Sequence, residues 1–133
     1  MSGIIYAITR ERFERLKSGK DVFCKFVKGM PKVNVGDTLI FYLSGGSKEI
    51  VGEALIVEMM FSGVDSLMSR YGDRLFITGD ELKQYANRRD TVLFFVLNDL
   101  KEYRRPFKME KPLTMAGMNL TKELYKKITR YSK

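Results

Sequence analysis

The sequence predicts an α+β fold, a partly closed β-barrel (pseudobarrel) with flanking helices at its openings. Three observations predict it. Within VNVGDTLIFYLSGGSKEIVGEALIVEMMF, an apolar run from Thr38 to Leu43 is reversed at Ser44-Gly45-Gly46-Ser47 and answered by a second run from Glu49 to Phe61. Glycine accepts the positive φ angles that such a hairpin needs. Four segments of helical period, each preceded by a capping residue, are inserted between further strand-like runs. Finally, 133 residues at 44 % hydrophobic and 30 % charged content fit one core, so a single domain over 1–133 is expected.

Each element has a local reason. Ile4 to Ile8 reads as a strand. Thr9 caps a helix from Arg10 to Lys17, with Ile8 and Phe13 as a hydrophobic staple, Phe13 and Leu16 inward, and Glu11–Arg15 as an i,i+4 pair. Val22 to Lys28 is strand-like but apolar on both sides. Gly29-Met30-Pro31 ends it. Gly36-Asp37 turns the chain into the hairpin, and Gly52 marks a bulge or a close backbone approach in the return strand. Ser62 is expected to cap a helix with Val64, Leu67, Met68 and Tyr71 on one face, stopped at Gly72-Asp73. Thr78 and Glu81 form a capping box for a helix that runs to about Arg88. Thr91 to Leu97 is β-prone and reads as a central, buried strand. Leu100 to Met109 contains a basic edge segment, Arg104 to Lys108, with Pro106 and Pro112 at edge or loop positions because proline cannot donate to a ladder. Thr121 caps the last helix, with Leu120, Leu124, Ile128 and Tyr131 as its apolar stripe. Lys122, Lys126, Arg130 and Lys133 form a basic stripe on another side.

Composition narrows the function classes. The single cysteine, Cys24, excludes an internal disulfide and reads as a buried thiol. No apolar run approaches the roughly 20 residues of a membrane helix, and the opening MSGIIYAITRERF lacks the basic start of a signal peptide. A cytoplasmic protein without membrane contact is therefore expected. The net charge is +8, and residues 101–133 hold ten basic and three acidic side chains, a balance of +7. A localised cationic field attracts polyanions, which makes nucleic acid the expected partner class.

The catalytic residue types are sparse. There is no histidine, and one cysteine cannot close a zinc site. Neither a Walker-type loop nor G-x-G-x-x-G is present, so no cofactor, metal or catalytic residue is assigned. Gly45-Gly46-Ser47-Lys48 sits in a hairpin and does not lead into a helix, so it reads as a turn and not a phosphate loop. Glu53 reads as a surface carboxylate. What remains is cations interleaved with aromatics. Lys25, Phe26, Lys28 and Lys32 form one cluster; Arg104, Arg105, Phe107, Lys108 and Lys111 form another. Single-stranded nucleic acid is held by this chemistry, with cations on phosphates and aromatic faces on bases. The site expected is one cleft built from Lys25, Phe26, Arg104, Arg105, Phe107 and the loop Met115 to Asn119, in which Asn119 offers a donor and an acceptor to a base edge.

The segments ITRERFERLK, VNVGDTLIFYLSGG, IVGEALIV and PLTMAGMNLTKELYKKI resemble the opening, barrel strands and closing helix of the PUA-like superfamily, which includes PUA, ASCH and EVE domains. The whole also resembles an uncharacterised archaeal family of short PUA-like proteins. The resemblance implies a pseudobarrel that binds RNA or a modified base. The chain lacks the G-x-K-x-x-E-x-R motif of ASCH domains, so ASCH-type activity is not implied. It also lacks the Trp that walls the base pocket in EVE domains, so Phe or Tyr would have to build a base cage. Two alternatives stay open: an enzyme acting on nucleotides or RNA without histidine, and a protein-interaction adaptor whose eight methionines soften a contact surface.

Overall fold

The computed structural model describes residues 3–113 and 117–132. Six strands form one mixed sheet: β1 (Gly3–Ile8), β2 (Val22–Lys25), β3 (Thr38–Leu43), β4 (Glu49–Gly63), β5 (Thr91–Lys108) and β6 (Met118–Asn119). Four α-helices accompany them: α1 (Arg10–Lys17), α2 (Val64–Tyr71), α3 (Gly79–Ala86) and α4 (Lys122–Ser132). The strand order is β2-β5-β4-β3-β1-β6, with β1 parallel to β3 and the other pairings antiparallel.

The sheet curls without closing. β2 and β1 lie four strand steps apart, which on a flat sheet is about 19 Å at the usual spacing. Yet the Phe23 ring of β2 stands 6.1 Å from the Tyr6 ring of β1 and 5.7 Å from Phe41 of β3. The curl comes from β4 and β5, whose shared ladder shifts register at three points, after Ile50, Glu53 and Ile56. Such irregularities bend and twist a strand pair. Gly52 lies at the first of them. A Cβ there would stand 2.5 Å from the Lys101 carbonyl oxygen and 2.9 Å from the Phe13 ring, so only glycine lets the strand pass between them.

Strands β1 and β3 are buried on both faces, which explains their unbroken apolar runs. Inside the curl, Tyr6, Phe13, Phe23, Phe41 and Phe95 form the main core. Outside it, Ile5, Ile40, Tyr42, Ile50 and Tyr103 form a second core under α4, closed by Leu120 and Ile128.

Most local expectations match. The Thr9 hydroxyl accepts from the Arg12 amide, Thr78 and Glu81 complete the capping box, and Thr121 accepts from the Leu124 amide. Four differ. Ser62 is not a cap; it lies in β4, paired with Val92 of β5, and Gly63 is the N-cap of α2, because the β4–β5 ladder persists to Gly63–Thr91. The strand-like run from Val22 to Lys28 leaves the sheet at Lys25, so Phe26 to Lys28 lie in a loop. α3 ends at Ala86 because Asn87 turns left-handed at φ 48°. Glu53 is buried, as described below.

Candidate nucleic-acid interface

The two edges of the curled sheet, β2 and β6, do not pair with each other. Along part of β2 the edge is covered: the Phe76 amide donates to the Val22 carbonyl and the Asp21 amide to that of Arg74. Beyond Lys25 the chain departs as the loop 26–32. Across the seam, β6 adds only two residues to β1, Met118 and Asn119. Between them lies a cavity of about 690 Å³, open to solvent, bounded by Ile4 and Tyr6 of β1, the loop 26–32, and Gly117 to Asn119. Its size is within the range of small-ligand sites.

The loop and the floor have fixed positions. Phe26 meets Tyr85 of α3 edge-on at 4.7 Å, and the Arg89 guanidinium lies 4.4 Å from the Phe26 ring centre. Gly117 has φ +81° and lies against Tyr6; a Cβ there would stand 2.7 Å from the ring. Tyr6 packs on Phe23 and Phe95, and burial, with Tyr85 nearby, pushes its phenol up to about 12.

The charge is one-sided. Among the described residues, the cavity lining includes Lys28 and Lys32 and no Asp or Glu. Lys25 stands beside it, only 8 % exposed, with its Nζ 5.4 Å from the Tyr6 ring centre. Among the described residues its ammonium makes no ion pair and no side-chain hydrogen bond. Burial, chiefly, and the like charge of Arg12 hold its pKa below the usual lysine value. Neighbouring Cys24 is buried too, and its thiol is pushed up to about 12, so it is not a reactive thiolate.

The structure thus brings together Phe26, Lys28, Lys32 and Asn119, with Lys25 behind them. It does not bring Arg104, Arg105, Phe107 and Lys108 into that cavity. Arg105 lies over the Tyr131 ring of α4, at 4.8 Å, and Phe107 meets the same ring edge-on at 5.9 Å. Arg104 borders a shallow depression with Tyr103 and Ser132, and Lys108 pairs with Glu49 at the far end of β4. The single cleft expected from sequence is therefore two surfaces. The reason is that β5 is one 18-residue strand, which carries its basic half away from β2. Met115 lies outside the described residues.

Two features escaped the sequence reading. Tyr6 looked like one more apolar-strand residue, and no local pattern marks it as a cavity floor. Glu53 is buried and accepts hydrogen bonds from the Tyr103 hydroxyl at 2.8 Å and the Tyr125 hydroxyl at 3.1 Å. This cluster ties α4 to the sheet. Burial, then the adjacent Glu53, pushes the Tyr103 phenol well up.

Residues 1–122 match the family described as "Domain of unknown function (DUF365)". The chain belongs to the DUF365 family. No curated protein matches it. Among solved structures, this DUF365 chain is similar to the ASCH protein of Zymomonas mobilis, with a TM-score of 0.83 and 20 % identity over 98 % of this chain and 96 % of that one. Crystal structures of two point mutants of that protein match at the same TM-score, with 20 % and 21 % identity. At such identities the likeness establishes fold alone: the DUF365 chain is an α+β, partly open pseudobarrel of the ASCH kind. Among its described residues no helix is long and apolar enough to cross a membrane.

Proposed function

We propose that the protein is a binding module for single-stranded RNA, or for a modified base within it, and that one nucleotide enters the seam cavity. Lys25 carries this reading. A buried cation without a carboxylate partner costs free energy unless a ligand supplies the counter-charge. The described lining of the cavity beside it holds two more lysines and no acid. A nucleotide matches that lack: its phosphate answers Lys25, Lys28 and Lys32, its base has the Phe26 ring as an apolar face, and Asn119 offers a donor and an acceptor to the base edge. The fold shared with an ASCH protein supports the reading by analogy.

Base stacking contributes roughly 1–3 kcal/mol, and binding at one such site is expected to be micromolar or weaker. The test is a titration of a fluorescent single-stranded RNA at two salt concentrations. The expected result is binding that weakens with salt, with a slope near −0.7 per neutralised phosphate. Phe26→Ala should weaken it by about tenfold. No binding at low salt, or binding indifferent to salt, overturns the proposal.

The lowered pKa of Lys25, whose ammonium is buried beside the cavity, also favours a second reading, turnover of the bound RNA with the neutral form of Lys25 as the base. Intact RNA after prolonged incubation with the protein at pH 9 would rule it out.

A further inference from the structure

Ion pairing among the described residues is uneven along the chain. Among the described residues there are eight ion pairs, and every cation in them lies at or before Arg74: Arg10, Arg12, Arg15, Lys17 and Arg74. No basic residue described from Lys101 onward is in an ion pair. On α4, Lys122, Lys126, Lys127 and Arg130 are all exposed, and Glu123 is the sole acid on the helix. At the C-terminal end of this stripe stands Tyr131, 48 % exposed, held from two sides by Arg105 and Phe107. A stripe that served only solubility would need neither an ordered exposed aromatic nor an arginine placed over it.

The placement of the helix matters as much as its charge. α4 begins three residues after Asn119, at the lip of the seam cavity, and ends beside Arg105. Its 11 residues span about 16 Å. A stacked single strand rises about 3.4 Å per nucleotide, so the helix is as long as about five nucleotides.

We propose that the outer face of α4, ending at the Arg105–Tyr131 pair, is a second contact surface that binds the phosphate backbone of single-stranded RNA. With the reading above, on which this extension rests, the strand has one nucleotide in the seam cavity and runs along α4 to Tyr131. The cavity then sets which nucleotide is taken, and the helix sets how long a strand is bound.

The experiment measures affinity against strand length. Mono-, tri-, hexa- and dodecanucleotide RNAs are titrated into the wild type, K126E/R130E and Lys25→Met. For the wild type, affinity should rise steeply to about six nucleotides and then level. K126E/R130E should bind the mononucleotide as before, lose about tenfold or more on the hexamer, and show a smaller salt slope by about 0.7 for each phosphate contact removed. Both positions are exposed, so folding should persist, and K126Q/R130Q, expected to show a smaller loss of the same kind, covers the case in which it does not. Affinity independent of length, or hexamer binding untouched by both α4 variants, overturns the surface. If mononucleotide binding is still lost in Lys25→Met in that case, the seam reading stands without it. Conversely, hexamer binding lost in K126E/R130E but unchanged in Lys25→Met upholds the surface and overturns the seam site. No binding of any RNA by the wild type overturns both.

Discussion

Lys25 sets a cost in stability against a gain in binding. In the folded protein its charged form is disfavoured, so its pKa lies below the value of about 10.4 in the unfolded chain. The unfolded state therefore binds the proton more readily. The penalty is in full force below the folded pKa and lifts as pH rises towards the unfolded one, so stability rises with pH on the alkaline side. Lys25→Met removes the charge while keeping a long apolar stem. It is expected to leave stability at pH 7 unchanged or raise it by about 1 kcal/mol, to flatten the alkaline rise, and to weaken RNA binding. Urea unfolding at pH 7 and 9.5, with one binding titration, checks all three; a clear loss of stability at pH 7 would make Lys25 a structural cation. Sequence reading named Lys25 for its charge among aromatics. It did not foresee the burial, because alternation cannot assign faces in a strand that is apolar on both sides. Glu53 is the converse: a carboxylate in a strand reads as exposed until the tyrosines of β5 and α4 arrive from 50 and 72 residues away.

At the level of elements, α3 shows local code and tertiary contact acting together. Glu81 accepts from the Thr78 amide at 2.7 Å, and its Oε1 stands 2.6 Å from Arg15 of α1. The Arg15 hydrogen bond first, then the Thr78 amide, holds the Glu81 carboxyl down to about 2. A depressed carboxyl contributes stability that is present above its unfolded pKa, about 4.3, and is lost as pH falls through the folded value. Glu81→Gln should therefore lower stability at pH 7 by about 1 kcal/mol, the pair being partly exposed, and should lose less stability than the wild type between pH 5 and pH 2. Thermal melts across that range measure it, and parallel curves for the two proteins would count against the assignment. The capping box was legible because it is a four-residue pattern. The Arg15 partner was not, since nothing local links position 15 to position 81.

For the whole molecule, the seam is where the barrel should be weakest. β4 and β5 share a ladder from Glu49 to Gly63, whereas β6 pairs through Ile4–Asn119 and Ile5–Met118 alone. Local opening follows such differences in buried hydrogen bonding. Native-state hydrogen exchange is expected to find the amides of Met118 to Leu120 exchanging at least tenfold faster than those of β4 from Val51 to Ile56, with the β6 amides slowed when RNA is added. Equal protection at both places would mean that the seam is not the weak point of the sheet.

Legible in the residues alone were the α+β class, the hairpin, the capped starts of α1, α3 and α4, the burial of Cys24 and the concentration of positive charge after Lys101. All of these are local: turn chemistry, caps, period and composition act over a few residues. Only the tertiary structure decided which cations share a surface. The curl of β4 and β5 brings β2 and β1 together around Tyr6 and opens a seam between Phe26 and Asn119, while the length of β5 carries Arg105 to α4. Neither result has a local signature, because each is set by where a bent sheet places residues far apart in the chain.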